Sequence, residues 1–189
     1  DNTEQVELLL RNLAGAAVGR WVPTPYLLVL KTTDLLVAAA NITDYSKAAQ
    51  NETTGDVVLS SLDTLANGDA LWIGSHVPFR GLNVVITAAN GNASVLTGTY
   101  WDGSALTDIS LTDNTISAGK TLGAVATATI TWTVPTAWAK ATLQSIVSGI
   151  APAIPYREES LYWARLVVSA ALDGSTTLAS IQAMNRSTA

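Results

Sequence analysis

The chain has no cysteine and a single histidine, His76, among its 189 residues. Without cysteine it can form no disulfide, no thiolate metal site and no cysteine nucleophile. A hydrolase or lyase needs a nucleophile or a metal with a base held nearby. His76 lies in the turn-like sequence Gly-Ser-His-Val-Pro, with no Gly-x-Ser-x-Gly elbow beside it. We therefore expect a non-enzymatic protein with no catalytic residue, no cofactor and no metal.

The carboxylates are also poorly placed for catalysis. Glu158-Glu159 is the one adjacent pair, and neighbours on an extended segment point to opposite sides, so the two would not share a substrate. Asp102, Asp108 and Asp113 lie close together in sequence and could ligate calcium through oxygen. They lack the Asp-x-Asp-x-Asp/Asn spacing of a calcium loop, so we expect turns and solvated loops at both places.

Charged residues are few. They make up 13% of the chain, against roughly 25% in an average soluble domain. The 10 basic side chains are scattered without a run and are outnumbered by 15 acidic ones, so direct binding to nucleic acid is not expected. So little charge favours a surface that neighbours cover in an assembly. Abundant threonine and serine could also solvate a β surface without charge.

Long apolar runs are absent too. The longest, residues 26–30 and 35–40, are far too short to span a bilayer, so no membrane partner is expected. The sequence begins at Asp1 rather than at methionine, which predicts a processed, trimmed or partial product.

Near the N-terminus, apolar side chains fall at helical spacing. They are separated by charged residues and comprise Val6, Leu9, Leu10, Leu13 and Ala17. This spacing predicts a short amphipathic helix over residues 3–18, ended by the Trp-Val-Pro-Thr-Pro sequence that follows. Its apolar stripe must be buried, either on the chain's own core or on a neighbouring subunit.

Beyond residue 55, short β-like runs are separated by turn sequences, which is the pattern of an all-β sandwich. The clearest strand covers residues 126–134, where apolar residues alternate strictly with threonines. One face of this strand is expected in a core and the other toward water or a partner. Further strands are predicted at residues 70–75, 82–87, 93–101, 161–170 and 177–184.

Turn sequences predict how these strands connect. Asn90-Gly91 tolerates the positive φ angles of a tight turn, so we expect residues 82–87 and 93–101 to pair as a hairpin. A helical turn opened by proline is expected over residues 135–146, where it would cap one end of the sandwich. Residues 149–155 contain two prolines and are predicted to be a loop.

Tryptophan is frequent, with six residues beside one phenylalanine. On a sandwich, tryptophans either fill the core or form flat platforms on which sugar rings stack. Trp132 shares a strand face with isoleucine and valine and is predicted in the core. Tyr100-Trp101 and Tyr162-Trp163 each place one aromatic on either face, so one of each pair must lie outside the core. The candidate contacts for a sugar or a protein partner are Trp72, Tyr100 and Trp101.

Four segments carry a characteristic combination of aromatic, glycine and proline residues. They read Asp69-Ala-Leu-Trp-Ile-Gly-Ser-His-Val-Pro-Phe-Arg-Gly-Leu, Gly98-Thr-Tyr-Trp-Asp-Gly-Ser-Ala-Leu, Ile130-Thr-Trp-Thr-Val-Pro-Thr-Ala-Trp and Leu161-Tyr-Trp-Ala-Arg-Leu-Val-Val-Ser-Ala-Ala-Leu. In this order they resemble a β-sandwich module that recurs in structural proteins of tailed bacteriophages. The resemblance covers residues 56–184. The chain departs from the module at Trp72, where tyrosine is frequent, and at Leu106, where the hairpin often carries tryptophan.

The resemblance implies a non-enzymatic virion component with a jelly-roll-like antiparallel β-sandwich and no active site. Such a component would be a capsid decoration, head-fibre or tail-associated subunit, located in the virion with other virion proteins and copies of itself as partners. We expect residues 1–55 to form an N-terminal helix or arm with an extended segment, and residues 56–189 to form the sandwich. The alternative is a carbohydrate-binding or host-attachment module that uses the exposed aromatics and binds glycans.

Overall fold

The computed structural model describes the backbone of residues 9–11 and 17–20, and describes residues 25–184 in full. Helical structure in these residues is limited to three short 3-10 turns and the four-residue helix α1, Leu143–Ile146. The strands in chain order are β1 Leu9–Arg11, β2 Ala17–Arg20, β3 Leu28–Thr33, β4 Ile42–Asp44, β5 Val57–Val58, β6 Asp69–Ser75, β7 Gly81–Ala88, β8 Leu96–Trp101, β9 Leu106–Asp108, β10 Thr112–Asp113, β11 Thr127–Thr131, β12 Lys140–Ala141, β13 Leu161–Val168 and β14 Thr177–Ala183.

Two antiparallel sheets pack face to face around a shared core. One has five strands in the order β10-β11-β7-β14-β5. The other has seven: six in the order β4-β3-β6-β13-β8-β9, with β12 paired to β13. Most connections beyond β4 cross from one sheet to the other, so neighbouring strands come from distant parts of the sequence. The predicted all-β, antiparallel sandwich is confirmed, whereas the jelly-roll connectivity is not confirmed by this strand order.

The inner core between the sheets follows from the two-residue period of the strands. In β7 the alternate residues Leu82, Val84 and Ile86 are buried in it, and β11 contributes Ile130. Trp132 follows β11 on the same face and is also buried, as predicted. Fully burying a leucine, valine or isoleucine side chain stabilises the fold by about 1.5–3 kcal/mol. The other predicted strands are confirmed as β6, β7, β8, β13 and β14, with bounds shifted by a few residues.

The outer face of the seven-stranded sheet carries a second hydrophobic cluster. Trp72 and Trp163 lie on this face. Side chains from residues 142–160 cover them, notably Leu143, Ile150 and Ile154. The seven-stranded sheet is therefore buried on both faces over much of its area, and the molecule has an additional layer that the sequence did not predict.

Helix α1 belongs to this covering layer. Thr142 precedes it as the N-cap, and its hydroxyl accepts a hydrogen bond from the backbone N–H of Ser145 at 3.2 Å. The helix lies inside the predicted range of residues 135–146. It starts at Leu143 rather than at Pro135, because threonine supplies a capping oxygen that proline lacks, and it covers a sheet face instead of one end of the sandwich.

The N-terminal segment differs from the predicted helix over residues 3–18. Its described residues form strands β1 and β2, which pair antiparallel with Leu9 opposite Arg20. The helix is thus wrong for residues 9–11 and 17–18, and the rest of the prediction lies outside the described residues. The sequence of the predicted helix contains Gly15, and a glycine weakens a helix by about 1 kcal/mol relative to alanine.

The sandwich begins earlier than expected. Strand β3 lies between β4 and β6 in the seven-stranded sheet, with Leu28 opposite Gly74. Leu27, Val29 and Ala49 are buried in the inner core. The expected boundary after residue 55 therefore falls inside the sandwich, because the first core strand is already complete before it.

The predicted hairpin at Asn90-Gly91 was wrong, because β7 and β8 lie in different sheets. The buried Asn90 side chain instead organises the crossover. Its Nδ2 donates to the carbonyls of Asn92 at 2.8 Å and Thr121 at 3.1 Å and to the hydroxyl of Ser94 at 3.0 Å. Its Oδ1 accepts from the backbone N–H groups of Asn92 and Asp173. The asparagine therefore joins three loops through its side chain.

Candidate functional site

Five aromatic side chains form a cluster in the inner core: Phe79, Tyr100, Trp132, Trp138 and Tyr162. The ring centroid of Trp138 lies 5.1 Å from that of Phe79, and the indole N–H of Trp132 donates to the Phe79 carbonyl at 2.8 Å. Each of the four segments that resemble the phage module contributes at least one member. Tyr100 is half-buried here and packs against the core, so the structure does not support it as a surface contact.

The other two sequence candidates, Trp72 and Trp101, lie on the outer face of the seven-stranded sheet. Trp72 is only 2% exposed, and its ring meets Trp163 edge-on with centroids 6.4 Å apart. It is therefore too deeply buried to serve as a stacking platform. Trp101 is half-buried and alternates with the core-facing Tyr100 on β8, so it is the candidate that retains accessible aromatic surface.

Three buried hydrogen-bond donors line up across this outer face, one on each of three neighbouring strands. Arg165 on β13 lies directly opposite Trp72 on β6 and Thr99 on β8. The Nε1 of Trp72, the Nε of Arg165 and the Oγ1 of Thr99 are buried, and none has a hydrogen-bond partner within residues 25–184. Opposite residues in antiparallel strands have Cβ atoms about 5 Å apart. We call these three residues the donor row.

The donor row is energetically costly for the fold. Each buried polar atom without a partner destabilises the folded state by about 1–3 kcal/mol, and the great majority of buried polar atoms in proteins are paired. Three such atoms in adjacent positions of one sheet are therefore unusual. All three atoms are buried, so they form a polar row beneath the covered sheet face rather than an open binding surface.

Arg165 gives the donor row its positive charge. Its guanidinium lies over the Trp72 ring, 5.7 Å from the ring centroid, in a cation–π contact. Burial lowers the pKa of Arg165, but an arginine remains protonated at neutral pH. Among the described residues no carboxylate forms an ion pair with it. Asp108 on β9 lies opposite Thr99, one strand farther along, and its carboxylate accepts from the backbone N–H of Ser110 at 3.0 Å.

The other titratable residues considered in the sequence are used locally. His76 is exposed just after β6, and Glu158 pairs with its neighbour Arg157 at 2.7 Å. Asp102 accepts from the backbone N–H groups of Ala105 and Ser104, which hold its pKa well below the ordinary range and fix the β8–β9 turn. Over the part of the chain that the structure describes, no group of three or more His, Asp or Glu residues is arranged to hold a metal.

The strands of the five-stranded sheet carry mainly uncharged polar side chains on its outer face, which we call the threonine face. Its members point away from the inner core along β7, β11 and β14: Asn83, Val85, Thr87, Thr127, Thr129, Thr131, Thr177 and Gln182. The hydroxyls of Thr87 and Thr177 hydrogen bond at 2.9 Å, and the Asn114 amide donates to the Thr129 hydroxyl at 3.0 Å. The Glu52 carboxylate accepts from the Gln182 amide at 3.0 Å on the β14 side of this face. None of the named members on β7 and β11 is ionisable, so a partner can cover them without burying a charge.

Two residues of the donor row were missed by reasoning from the sequence. Arg165 had a visible signal, because it is the one charged residue in the otherwise apolar strand β13. Thr99 had none, since threonine is ordinary in a strand and only the pairing of β8 with β13 places it opposite Arg165. Trp72 was named as a candidate, but for its ring rather than for its N–H group.

Comparison of the chain with protein-family models, with curated protein sequences and with solved structures found no match. Its function is therefore inferred from its own residues and their geometry. No helix among the described residues has the length and apolar character needed to cross a bilayer.

Proposed function

We propose that the chain is a non-enzymatic structural subunit of a tailed-bacteriophage virion, such as a capsid decoration or another surface subunit, that assembles in multiple copies. The observation that carries the proposal is the threonine face, whose members on β7 and β11 are all uncharged, on a chain with only 13% charged residues. Hydroxyl and amide groups can pair across an interface, and their burial avoids the large desolvation cost of charges. Many copies then add avidity to contacts that are individually weak.

The resemblance to the phage module supports the same proposal. The four segments that carry the resemblance come together in the aromatic cluster of the inner core. The resemblance further implies that the strands of this sandwich have a jelly-roll-like connectivity. The partners are other virion proteins and further copies of the chain, and the N-terminal segment acts as an arm or docking element.

Size-exclusion chromatography with light scattering tests the assembly through the threonine face. At a concentration of about 50 µM, contacts with micromolar dissociation constants are occupied. We expect a mass that is a multiple of the 19.7 kDa chain. Thr129→Lys places a charge on the central strands of the threonine face and should reduce the mass to that of the monomer, because burying an unpaired charge is strongly unfavourable.

The matched control is Ser148→Lys, which adds the same charge to an exposed position in the layer over the other sheet. It should leave the mass of the assembly unchanged. A monomeric wild-type protein would contradict the proposal. Dissociation by Ser148→Lys alone would contradict the assignment of the interface to the threonine face.

A carbohydrate-binding or host-attachment module is the second candidate function. Trp101 favours it, because this half-buried ring lies on the outer face of β8, two residues from Thr99 of the donor row. A glycan array would compare the wild type with Trp101→Ala. Loss of binding in a folded variant supports this function, and a wild-type protein that binds no glycan contradicts it.

A further inference from the structure

The two sandwich sheets have four edges, and proteins usually cover or charge such edges because their backbone groups can pair with a foreign strand. Three of the four are protected in this way. Strand β9 ends in Asp108 and strand β4 ends in Asp44. Along β14, the Gln50 side chain donates to the carbonyl of Ile181 at 3.2 Å, and β5 adds only two residues to that edge. The fourth edge, along β11, is different.

Strand β11 is covered along only part of its outer side. β10 pairs with Ile130 and Thr131, and the backbone N–H of Asn114, just after β10, donates to the Thr129 carbonyl at 3.0 Å. The chain then loops back to β11 through residues 115–124, none of which forms a backbone hydrogen bond with residues 125–128. Residues 125–127 are exposed, and we call them the open edge.

The open edge directs four backbone groups away from the sandwich. The Ala126 carbonyl accepts from the N–H of Ile86 on β7 at 2.9 Å. Since adjacent residues of an antiparallel strand direct their backbone groups to opposite sides, the N–H and C=O groups of Val125 and Thr127 point outward. Within residues 25–184, none of these four groups has a hydrogen-bond partner. Such an edge is a template for another strand.

The same edge of a second copy matches these groups. When two copies pair antiparallel with Ala126 opposite Ala126, Val125 of each copy lies opposite Thr127 of the other. The two donors and two acceptors of each copy are then all used, in four hydrogen bonds. The pairing buries no charge, because residues 123–129 contain none. A longer partner strand would gain little, because the Thr129 carbonyl and the Gly123 N–H are already bonded within the chain.

We propose that the open edges of two copies pair antiparallel about a two-fold axis at Ala126, which joins their five-stranded sheets into one. This axis runs perpendicular to the joined sheet, so both threonine faces lie on the same side of it and form one larger surface. Four hydrogen bonds are fewer than the about ten of a typical interface, so the edge contact adds to the contact through the threonine face and does not replace it. The proposal rests on the proposed assembly and specifies a second contact within it.

Because the chain has no cysteine, an engineered disulfide can test this pairing. Opposite residues of a non-hydrogen-bonded pair have Cα atoms about 4.5 Å apart, which a disulfide can bridge. The matched control is Val58→Cys, a 37% exposed position on the opposite edge of the same sheet. Under mild oxidation, Ala126→Cys should form a linked dimer at least about tenfold faster than this control, because pairing raises the effective concentration of the thiol.

A proline variant tests the backbone hydrogen bonds. Val125→Pro removes an outward N–H without removing a bond to β7, and proline is tolerated where an edge N–H faces solvent. Combined with Ala126→Cys, it should slow the cross-link to the rate of the control. Val125→Ala keeps the N–H and should leave the cross-link unchanged.

Hydrogen exchange of the wild type gives a readout that needs no variant. The amides of Val125 and Thr127 should be protected in the assembly and should exchange rapidly after dilution to the monomer. This measurement decides the question even if Val125→Pro fails to fold.

Each contrary outcome overturns a defined part of the proposal. Unprotected Val125 and Thr127 amides in the assembled wild type would refute the edge pairing, whatever the disulfide rate, and the response of the mass to Thr129→Lys would still test the threonine face separately. Protected amides without a fast Ala126→Cys cross-link would show that a different strand occupies the edge, which overturns the pairing of identical edges. A monomeric wild type would refute both this proposal and the assembly.

Discussion

Replacing Trp138 with alanine should lower the free energy of unfolding by about 4 kcal/mol, within the range of 3–5 kcal/mol for such changes in cores. The side chain is 6% exposed, and its N–H donates to the carbonyl of Trp163 at 3.3 Å, which would lose that donor. The Trp138 ring contacts four other aromatic rings, and each such pair contributes about 0.5–1.5 kcal/mol beyond burial. Their centroids lie 5.1 Å away for Phe79, 6.0 Å for Tyr100, 6.0 Å for Tyr162 and 6.4 Å for Trp132.

Guanidinium chloride unfolding, followed by fluorescence and circular dichroism, would measure this loss. With a denaturant dependence of about 4 kcal/mol per molar, the midpoint should fall by about 1 M. Trp101→Ala is the matched control, and we expect it to cost less than about 2 kcal/mol because this ring is only half-buried on the outer face. A Trp138→Ala loss below about 1 kcal/mol with an unchanged denaturant dependence would refute the structural role of the aromatic cluster.

Three further substitutions test the loops and the outer layer. Asn90→Ala should cost about 3 kcal/mol in the same denaturant titration, because it leaves several buried groups unpaired; an effect below about 1 kcal/mol would contradict this. Gly74→Ala places a Cβ atom 2.6 Å from the Trp163 ring and should cost about 2 kcal/mol in thermal unfolding. Its control Gly174→Ala, with no atom within 4 Å, should cost almost nothing. Backbone N–H groups, chiefly that of Ser175, lower the pKa of Asp173 to about 2, below the ordinary value of about 4. The stabilisation of the fold by the ionised Asp173 carboxylate is therefore complete above about pH 4 and is lost as the pH falls toward about 2. Asp173→Asn should be less stable than the wild type at neutral pH, and the difference should shrink across that range; a constant difference would contradict the assignment.

Strands were predictable because their signal is local. The alternation in residues 126–134 reflects one core face and one outer face, and β11 has both. Strand β6 is buried at every position, and its apolar run on both faces was a missed signal for the layer that covers the seven-stranded sheet. The covering segment itself has weak periodicity, so its position on that face could not be inferred from sequence.

At the predicted hairpin, a long-range contact overrode the local preference. Asn90-Gly91 has the composition of a tight turn, but the Asn90 side chain bonds to a carbonyl 31 residues away at Thr121. The N-terminal apolar spacing fits a helix, yet the described residues 9–11 and 17–20 pair with each other as strands. This pairing is local, but the helical spacing of the apolar residues did not indicate it.

The candidate site was only partly predictable for the same reason. Because successive side chains of a strand point to opposite faces, the sequence correctly predicted that Tyr100 and Trp101 lie on opposite sides of β8. It did not predict which of the two faces the core. The donor row depends on the pairing of β13 with both β6 and β8, which brings Arg165 beside residues far away in sequence. A charged residue in an apolar strand is a usable signal, but its neighbours appear only once the register is known.

Mass spectrometry of gradient-purified particles tests the central claim most directly. The proposed function requires that a phage genome encode the chain, and the particles would come from a lysate of that phage. The proposed function predicts that peptides of the chain co-purify with the virions in multiple copies per particle and remain bound through a second gradient. Peptides confined to the particle-free fraction of the lysate would contradict the assignment to the virion.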